Sequence, residues 1–200
     1  MSEQQSTSVT NISRRTMLKT LGLAGGFVVA VTLVPKGMRS LRARPTHDGL
    51  SPSIYLAIDE DGTVHAYIHR VEMGQGTRTG LTQILADELE ADWDRIHVVP
   101  TYGDVRFGSQ NTDGSTSIRN FYDAFRQAGA SARRMLEEAA ATEWGVDRSQ
   151  VEARNHEVYN AATGEALDYR ELVEAAASMD VPDPESLTLK TREEHRYIGH

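Results

Sequence analysis

The chain has 200 residues, 39% of them apolar and 25% charged, enough for one domain with a modest core and too apolar for global disorder. Its formal net charge of −8 argues against the basic face that nucleic-acid binding requires, so no nucleic-acid partner is expected. The sequence contains no cysteine, which excludes a disulfide framework, a thiolate metal site and an iron–sulfur cluster on this chain.

In chain order, residues 1–35 read as an export signal. Ser13-Arg14-Arg15-Thr16-Met17-Leu18-Lys19 precedes a weakly apolar stretch from Leu21 to Val34, the pattern of the twin-arginine pathway. That stretch falls short of the roughly 20 residues a spanning helix needs. No Ala-x-Ala cleavage site follows it, which leaves room for the segment to stay as an anchor; the alternative to an export signal is an ordinary amphipathic or membrane helix. The expected location is the periplasm or the outer face of the cytoplasmic membrane. Residues 36–52 read as a polar, arginine-rich linker broken by Pro45 and Pro52.

The folded region is expected from Ser53 to the end of the chain. Ser53–Ile58 and Thr63–His69 alternate about the turn Asp59-Glu60-Asp61-Gly62 and read as a β-hairpin. Glu72-Met-Gly-Gln-Gly-Thr-Arg-Thr-Gly-Leu81 is a glycine loop entering a helix from about Thr77 to Ala91, with Leu81, Ile84, Leu85 and Leu89 on one face. Asp87, Glu88, Glu90 and Asp92 read as its solvated end, with Glu88 partly buried at most. Arg95–Tyr102 is an Ile/Val strand, and Gly103–Ser117 is a long polar loop flanked in part by Asp104 and Asp113. Loops of that length in compact domains tend to be functional. A long helix from Ile118 to Trp144 carries a stripe of Ile118, Phe121, Phe125, Ala128, Ala132, Met135, Leu136 and Ala139, with Glu137 and Glu138 on a charged face. Gly129, Ala130 and Ala132 form a small-residue patch suited to close approach of another backbone, and Gly145 stops the helix. Val151–Tyr159 reads as a strand, Asn160–Gly164 as a turn, and Asp168 as the cap of a helix reaching about Ser178. Trp93 and Trp144 each follow a helix where a large aromatic closes a core. The fold class is α+β, a small mixed sheet with packed helices.

The two glycine loops carry the chemistry. Each delivers backbone N–H groups and small hydroxyls to the start of a helix, an arrangement that holds a phosphate or another anionic, hydrogen-bond-rich group. Two of them, separated by a helix and a strand, point to a composite site for a large polar cofactor. The plainer readings are that Gly74 and Gly76 only form a strand-to-helix turn and that Ser115 or Ser117 only caps its helix. His65 and His69 share a strand face by alternation; with no third ligand in register, that face is expected to be polar and not metal-binding.

Glu72-Met-Gly-Gln-Gly76 followed by Gln83-Ile-Leu-Ala-Asp-Glu-Leu89 resembles the molybdopterin-binding subunit of the xanthine dehydrogenase and aldehyde oxidase family. Gly114-Ser-Thr-Ser-Ile-Arg119, Gln127-Ala-Gly-Ala-Ser-Ala-Arg-Arg-Met-Leu136 and Ala139-Ala-Ala-Thr-Glu-Trp-Gly-Val146 extend the resemblance, up to Arg196-Tyr-Ile-Gly199. They point it toward the branch of isoquinoline 1-oxidoreductase, its large (beta) chain, and related periplasmic aldehyde dehydrogenases. The resemblance implies that Gly74, Gln75, Gly76 and Thr77 contact the pyranopterin, with Gln75 beside the metal centre. It also implies that Gly114, Ser115, Thr116 and Ser117 lie against the pterin. The family's catalytic glutamate belongs to a Gly-Glu-Pro segment far along a much longer chain. Here Gly164-Glu165 is followed by Ala166, and Glu165 reads as a solvated turn residue. No catalytic residue and no metal ligand are therefore expected on this chain.

The implied function is the N-terminal part of the molybdopterin-binding subunit of an exported molybdenum hydroxylase, an oxidoreductase that uses water-derived oxygen on an N-heterocycle or aldehyde. The implied cofactor is molybdopterin, with its cytosine dinucleotide form left open, shared with a partner chain that carries the rest of the molybdenum subunit. A [2Fe-2S] small subunit is the implied electron exit, and the N-terminal segment implies membrane association. A non-catalytic assembly or scaffold subunit is the alternative, and a decayed relic a third. A split subunit without its partner, or a relic, predicts an exposed surface at Gly129–Ala132.

Overall fold

A computed structural model describes residues 49–200. The export signal expected over residues 1–35 and the linker up to residue 48 lie outside the described residues. The chain opens with strand β1 (Gly49–Ser53), followed by β2 (Leu56–Asp59) and β3 (Val64–Ile68). Helix α1 (Thr77–Leu89) then leads to β4 (Ile96–Pro100), and the long helix α2 (Thr116–Trp144) to strands β5 (Val151–Arg154), β6 (Glu157–Asn160) and β7 (Ala166–Asp168) and helix α3 (Tyr169–Ala177). The class is α+β, with two sheets and three α-helices among the described residues.

The larger sheet has the order β1-β2-β3-β4, with β1/β2 and β2/β3 antiparallel and β3/β4 parallel. The expected hairpin is β2–β3. The last four residues of the expected linker belong instead to β1, an edge strand whose pairing is irregular between Leu50 and Ser53, the kind of place that tolerates Pro52. Parallel neighbours need a crossover, and α1 supplies it.

Val64, Ala66 and Ile68 of β3 and Leu56 and Ile58 of β2 are fully buried, facing Leu81, Leu85 and Leu89 of α1 and Phe125, Ala132, Met135 and Leu136 of α2. Full burial of each large apolar side chain contributes roughly 1.5–3 kcal/mol. The apolar stripe expected on α2 is buried from Phe125 onward, but Ile118 emerges at the surface. The small-residue patch is used within the fold. A Cβ at Gly129 would sit 2.5 Å from the Leu85 carbonyl oxygen and 3.1 Å from the Leu89 nitrogen, so α1 crosses α2 backbone to backbone there. The expected exposure of Gly129–Ala132 is thereby overturned, since α1 covers it.

The continuous strand expected over Val151–Tyr159 is two strands joined at Asn155 and His156, whose φ values of 51° and 74° make a two-residue turn matched to the hairpin twist. His156 ties this small sheet to the large one. Its Nδ1 accepts from the Asp92 N–H (3.2 Å), so its Nε2 donates to the Gly62 carbonyl (2.9 Å). Asp168 caps α3, with Glu171 returning to the Asp168 N–H.

The acidic end of α1 is not solvated. Asp87 is wholly buried and accepts the backbone N–H groups of Arg196 (2.6 Å), Tyr197 (3.0 Å) and Ile198 (2.9 Å). Glu88, also buried, takes Arg126 Nε (2.6 Å) and the Lys190 N–H (3.2 Å), while Glu90 takes Lys190 Nζ and Arg196 Nη1 (2.7 Å). Three acids thus hold the C-terminal segment across the helix. Glu137 is likewise drawn inward, its carboxyl raised above its ordinary range by burial despite Arg133 and Arg148 nearby. Trp93 differs from its expected core role: it is partly exposed and packs on Tyr197, ring centroids 5.4 Å apart. Trp144 does pack against the core.

Gly129→Ala is expected to lower the unfolding free energy by about 2 kcal/mol, because backbone on α1 must retreat, as read by urea denaturation. Asp87→Ala, which leaves three half-buried N–H groups without their acceptor, is expected to cost about 2 kcal/mol in the same measurement.

Candidate functional site

Because β3 and β4 run parallel, the chain leaves both at the same end of the sheet, and the loops that follow them meet there. This carboxyl end of parallel strands is where open sheets with helical crossovers place ligands. The first loop is shaped by Glu72. Its Oε1 accepts the N–H groups of Gly74 (2.7 Å) and Gly76 (3.0 Å), and its Oε2 accepts that of Arg78 (3.0 Å). These bonds, that from Arg78 foremost, hold the Glu72 carboxyl below its ordinary range. Gly76 occupies the helix N-cap with φ 78° and provides no side-chain cap, a conformation that glycine adopts without strain. The Gln75 amide is fixed as well: Oε1 accepts from the Met73 N–H (2.6 Å) and Nε2 donates to the Val71 carbonyl (2.8 Å).

The second loop is organised by Arg70, which stands two residues past the buried end of β3 and is only 2% exposed. Its Nη1 donates to the Ser109 carbonyl (2.9 Å), its Nη2 to Thr116 Oγ1 (2.9 Å) and its Nε to Ser117 Oγ (3.2 Å). The guanidinium also lies 5.0 Å from the centre of the Phe121 ring. Thr112 Oγ1 accepts the Val71 N–H (3.0 Å), stitching the two loops together. Helix α2 starts at Ser115, whose φ of 57° is left-handed and which makes no side-chain capping bond. A non-glycine residue held in that region stores strain, and such strain clusters at functional positions.

Between the two helix starts lies a cleft of about 360 Å³, lined by Met73, Gln75, Thr77, Thr112, Asp113, Gly114, Ser115, Ser117 and Ile118. Of the eight residues picked out from the sequence, Gln75, Thr77, Gly114, Ser115 and Ser117 therefore share one concavity. Gly74 and Gly76 do not line it and have their N–H groups engaged by Glu72, and Thr116 turns toward Arg70 and the Asp113 carbonyl. The plain capping role for Ser115 or Ser117 is not observed. The N–H groups expected to serve a ligand from Gly74 and Gly76 are taken up internally. What remains free among the described residues is the hydroxyl of Thr77, the hydroxyl proton of Ser117 and the N–H groups of Ser117 and Ile118, orphans of an uncapped helix start. This is a donor-rich cleft, suited to a ligand rich in acceptors.

Glu72, Arg70 and Thr112 are the organising residues that sequence reasoning passed over. A signal for Arg70 existed: a cation following a buried strand, next to a glycine loop, with no acid beside it in the sequence. His65 and His69 do not share a polar face. His65 pairs with Asp59 (2.7 Å). His69 lies past the last strand residue, fully buried with neither ring nitrogen hydrogen-bonded, and it packs edge-on to Phe121 (4.3 Å) and stacks on Phe107 (5.8 Å). Burial, with the Arg70 charge beside it, lowers its pKa to about 4.

A family model of the molybdopterin cofactor-binding domain matches residues 10–197. The chain is 32% identical over 179 residues to the beta chain of isoquinoline 1-oxidoreductase from Brevundimonas diminuta, covering 86% of this chain and 22% of that one. It is 33% identical over 162 residues to the membrane-bound aldehyde dehydrogenase [pyrroloquinoline-quinone] of Gluconacetobacter polyoxogenes, covering 80% and 21%. To a nicotinate dehydrogenase subunit of Pseudomonas putida it is 30% identical over 167 residues, covering 82% and 14%. The chain thus spans about a fifth or less of the length of these relatives.

His69 predicts a pH dependence. An imidazole depressed from 6.5 to about 4 in the fold is neutral there while the unfolded chain binds a proton, so stability falls as pH drops from about 6.5 to about 4 and this group changes nothing further below that. His156, also lowered to about 4 by burial, contributes in the same window. His69→Phe is expected to reduce the stability lost between pH 7 and pH 4.5, as measured by urea unfolding at both values.

Proposed function

Because the chain belongs to the molybdopterin cofactor-binding domain family, we propose that the cleft between its two loops holds one face of a molybdopterin cofactor within the molybdenum subunit of an exported hydroxylase. The observation that carries this reading is the convergence of two helix starts on one cleft, that of α2 uncapped, which keeps an unpartnered hydroxyl at Thr77 and an undonated hydroxyl proton at Ser117. That donor set fits a pterin with its acceptor nitrogens, carbonyl and phosphate. Thr77 and Ser117 donate their hydroxyl protons, and Ser117 and Ile118 their N–H groups. Gln75, clamped at Met73 and Val71, still has one N–H and one lone pair for the ligand. The cofactor supplies the redox chemistry, and this chain's part is to bind, orient and shield it.

In this reading no described residue serves as the base. Glu165 lies exposed in the β6–β7 turn, bonded to Thr163 Oγ1 (2.9 Å). The base belongs to the remainder of the molybdenum subunit, whose docking the cleft rim supports. Val71, Met73, Tyr102, Val105 and Ile118 are five of the seven large apolar side chains exposed among the described residues, Met73 at 70% and Val105 at 89%. All five belong to the two loops or the cleft wall, and exposed apolar surface concentrated in this way marks contact with another polypeptide. Covering it also excludes water from the cleft.

The relatives' names support an isoquinoline-like or nicotinate-like N-heterocycle, or an aldehyde, as substrate class. Two of the three are named as one subunit among others, which supports a multi-chain assembly. A [2Fe-2S] partner completes the electron path in this reading, since a chain without cysteine holds no such cluster. The twin-arginine pattern supports export, with the N-terminal segment as membrane anchor.

The test is to purify the tagged chain with its partners from its native host and to quantify molybdenum and pterin per chain. Stoichiometric molybdenum in the wild-type complex, reduced in Gln75→Ala together with turnover, is the expected result. A stable complex without molybdenum would replace this reading by the scaffold one. Unchanged molybdenum and turnover in Gln75→Ala would remove Gln75 from the cofactor contacts.

A further inference from the structure

Arg70 is a buried cation whose hydrogen-bond partners are all neutral: a carbonyl and two hydroxyls. Among the described residues no carboxylate lies within ion-pairing distance of it. A buried charge without a counter-ion is costly, and the Phe121 ring offsets that cost only in part. We infer that Arg70 gives the cleft its preference for an anionic ligand group by fixing the Ser117 hydroxyl as a proton donor into it. This rests on the cleft being the cofactor site and names the chemical class it selects there, a phosphate or pyrophosphate oxygen.

The two hydroxyls that Arg70 meets differ in what they have left. Thr116 Oγ1 accepts from Arg70 and donates to the Asp113 carbonyl (2.8 Å), so it is closed. Ser117 Oγ accepts from Arg70 Nε, its own proton finds no acceptor among the described residues, and the residue lines the cleft while only 8% exposed. A hydroxyl accepting from a guanidinium is polarised toward giving up its proton, and bonds in which one side carries charge are about twice as strong as neutral ones. Thr77, 6% exposed with an unpartnered hydroxyl, faces the same cleft from α1. Glu72 already neutralises the start of α1, and Asp113 contributes a carboxylate to the lining. The donors left for a ligand's negative charge are the Thr77 hydroxyl, the Ser117 hydroxyl and the Ser117 and Ile118 N–H groups, and they must outweigh the Asp113 carboxylate in the same lining. Arg70 itself does not line the cleft and acts as a positioning residue.

The test titrates inorganic pyrophosphate into the full chain by calorimetry at several sodium chloride concentrations, for wild type, Ser117→Ala, Arg70→Met and Arg70→Lys. Ser117→Ala is expected to weaken binding roughly tenfold, and Arg70→Met to do the same while flattening the salt dependence. Arg70→Lys is expected to restore the salt dependence and part of the affinity. Adding Ser117→Ala to Arg70→Met should change little, since one residue acts through the other. Absence of pyrophosphate binding by the wild type, or affinity unchanged in Ser117→Ala, would overturn the inference. Should Arg70→Met fail to fold, Ser117→Ala and Arg70→Lys still decide it. A complex that carries molybdenum but whose pyrophosphate affinity ignores both residues would sink this inference alone. Dependence on both residues in a complex devoid of molybdenum would uphold it and sink the cofactor reading.

Discussion

The parallel pairing of β3 with β4 is the constraint on which the site depends. Had these neighbours been antiparallel, their trailing loops would leave opposite ends of the sheet, separated by about the length of a five-residue strand, roughly 16 Å. Parallel pairing requires a crossover helix, and α1 fills that role because Leu81, Leu85 and Leu89 bury against the sheet. The same helix must then be covered on its other side. Helix α2 does so at Gly129, where the two backbones touch. The start of α2 is thereby held beside the start of α1, and two helix N-termini come to face one cleft.

Helix α1 is electrostatically unusual along its length. At its start Glu72 supplies the negative charge that a helix N-terminus favours. At its end stand Asp87, Glu88 and Glu90, acids at the pole that disfavours them. The fold offsets that repulsion with Arg126, Lys190, Arg196 and a run of backbone N–H groups from the C-terminal segment. Removing those partners would leave three uncompensated charges at a helix C-terminus, so the segment over residues 190–198 is part of the domain's electrostatic closure.

Much of this was legible in the sequence where local patterns decide. Periodicity gave α1 and most of α2, and glycine placement gave the two loops and the end of α2 at Gly145. What escaped depended on partners remote in sequence or on short irregular backbone. Asp87 resembles any solvated acid until Arg196, Tyr197 and Ile198 arrive from more than a hundred positions away. Strand β1 contains Pro52 and two serines and carries little strand signal of its own, because it is an edge strand completed by β2. The β5–β6 turn was hidden because alternation runs through Asn155 and His156, which are not the usual glycine-bearing turn pair. His69 continues the alternation of β3 on paper, but the chain leaves the strand at Ile68 and the ring swings into the aromatic cluster. Within the site, the loops could be located from the sequence but not the roles inside them: that Glu72 engages the Gly74 and Gly76 N–H groups requires the folded turn.

That engagement of Glu72 has a consequence for how the cleft is assembled. The first loop carries its own anion, and its central amide at Gln75 is tied at both ends to the main chain. Its conformational freedom is therefore surrendered when the domain folds, not when a ligand arrives. Ordering loops at the moment of association is among the larger opposing contributions to binding, and here that contribution is already largely absent. The cleft is a mould set before it is filled.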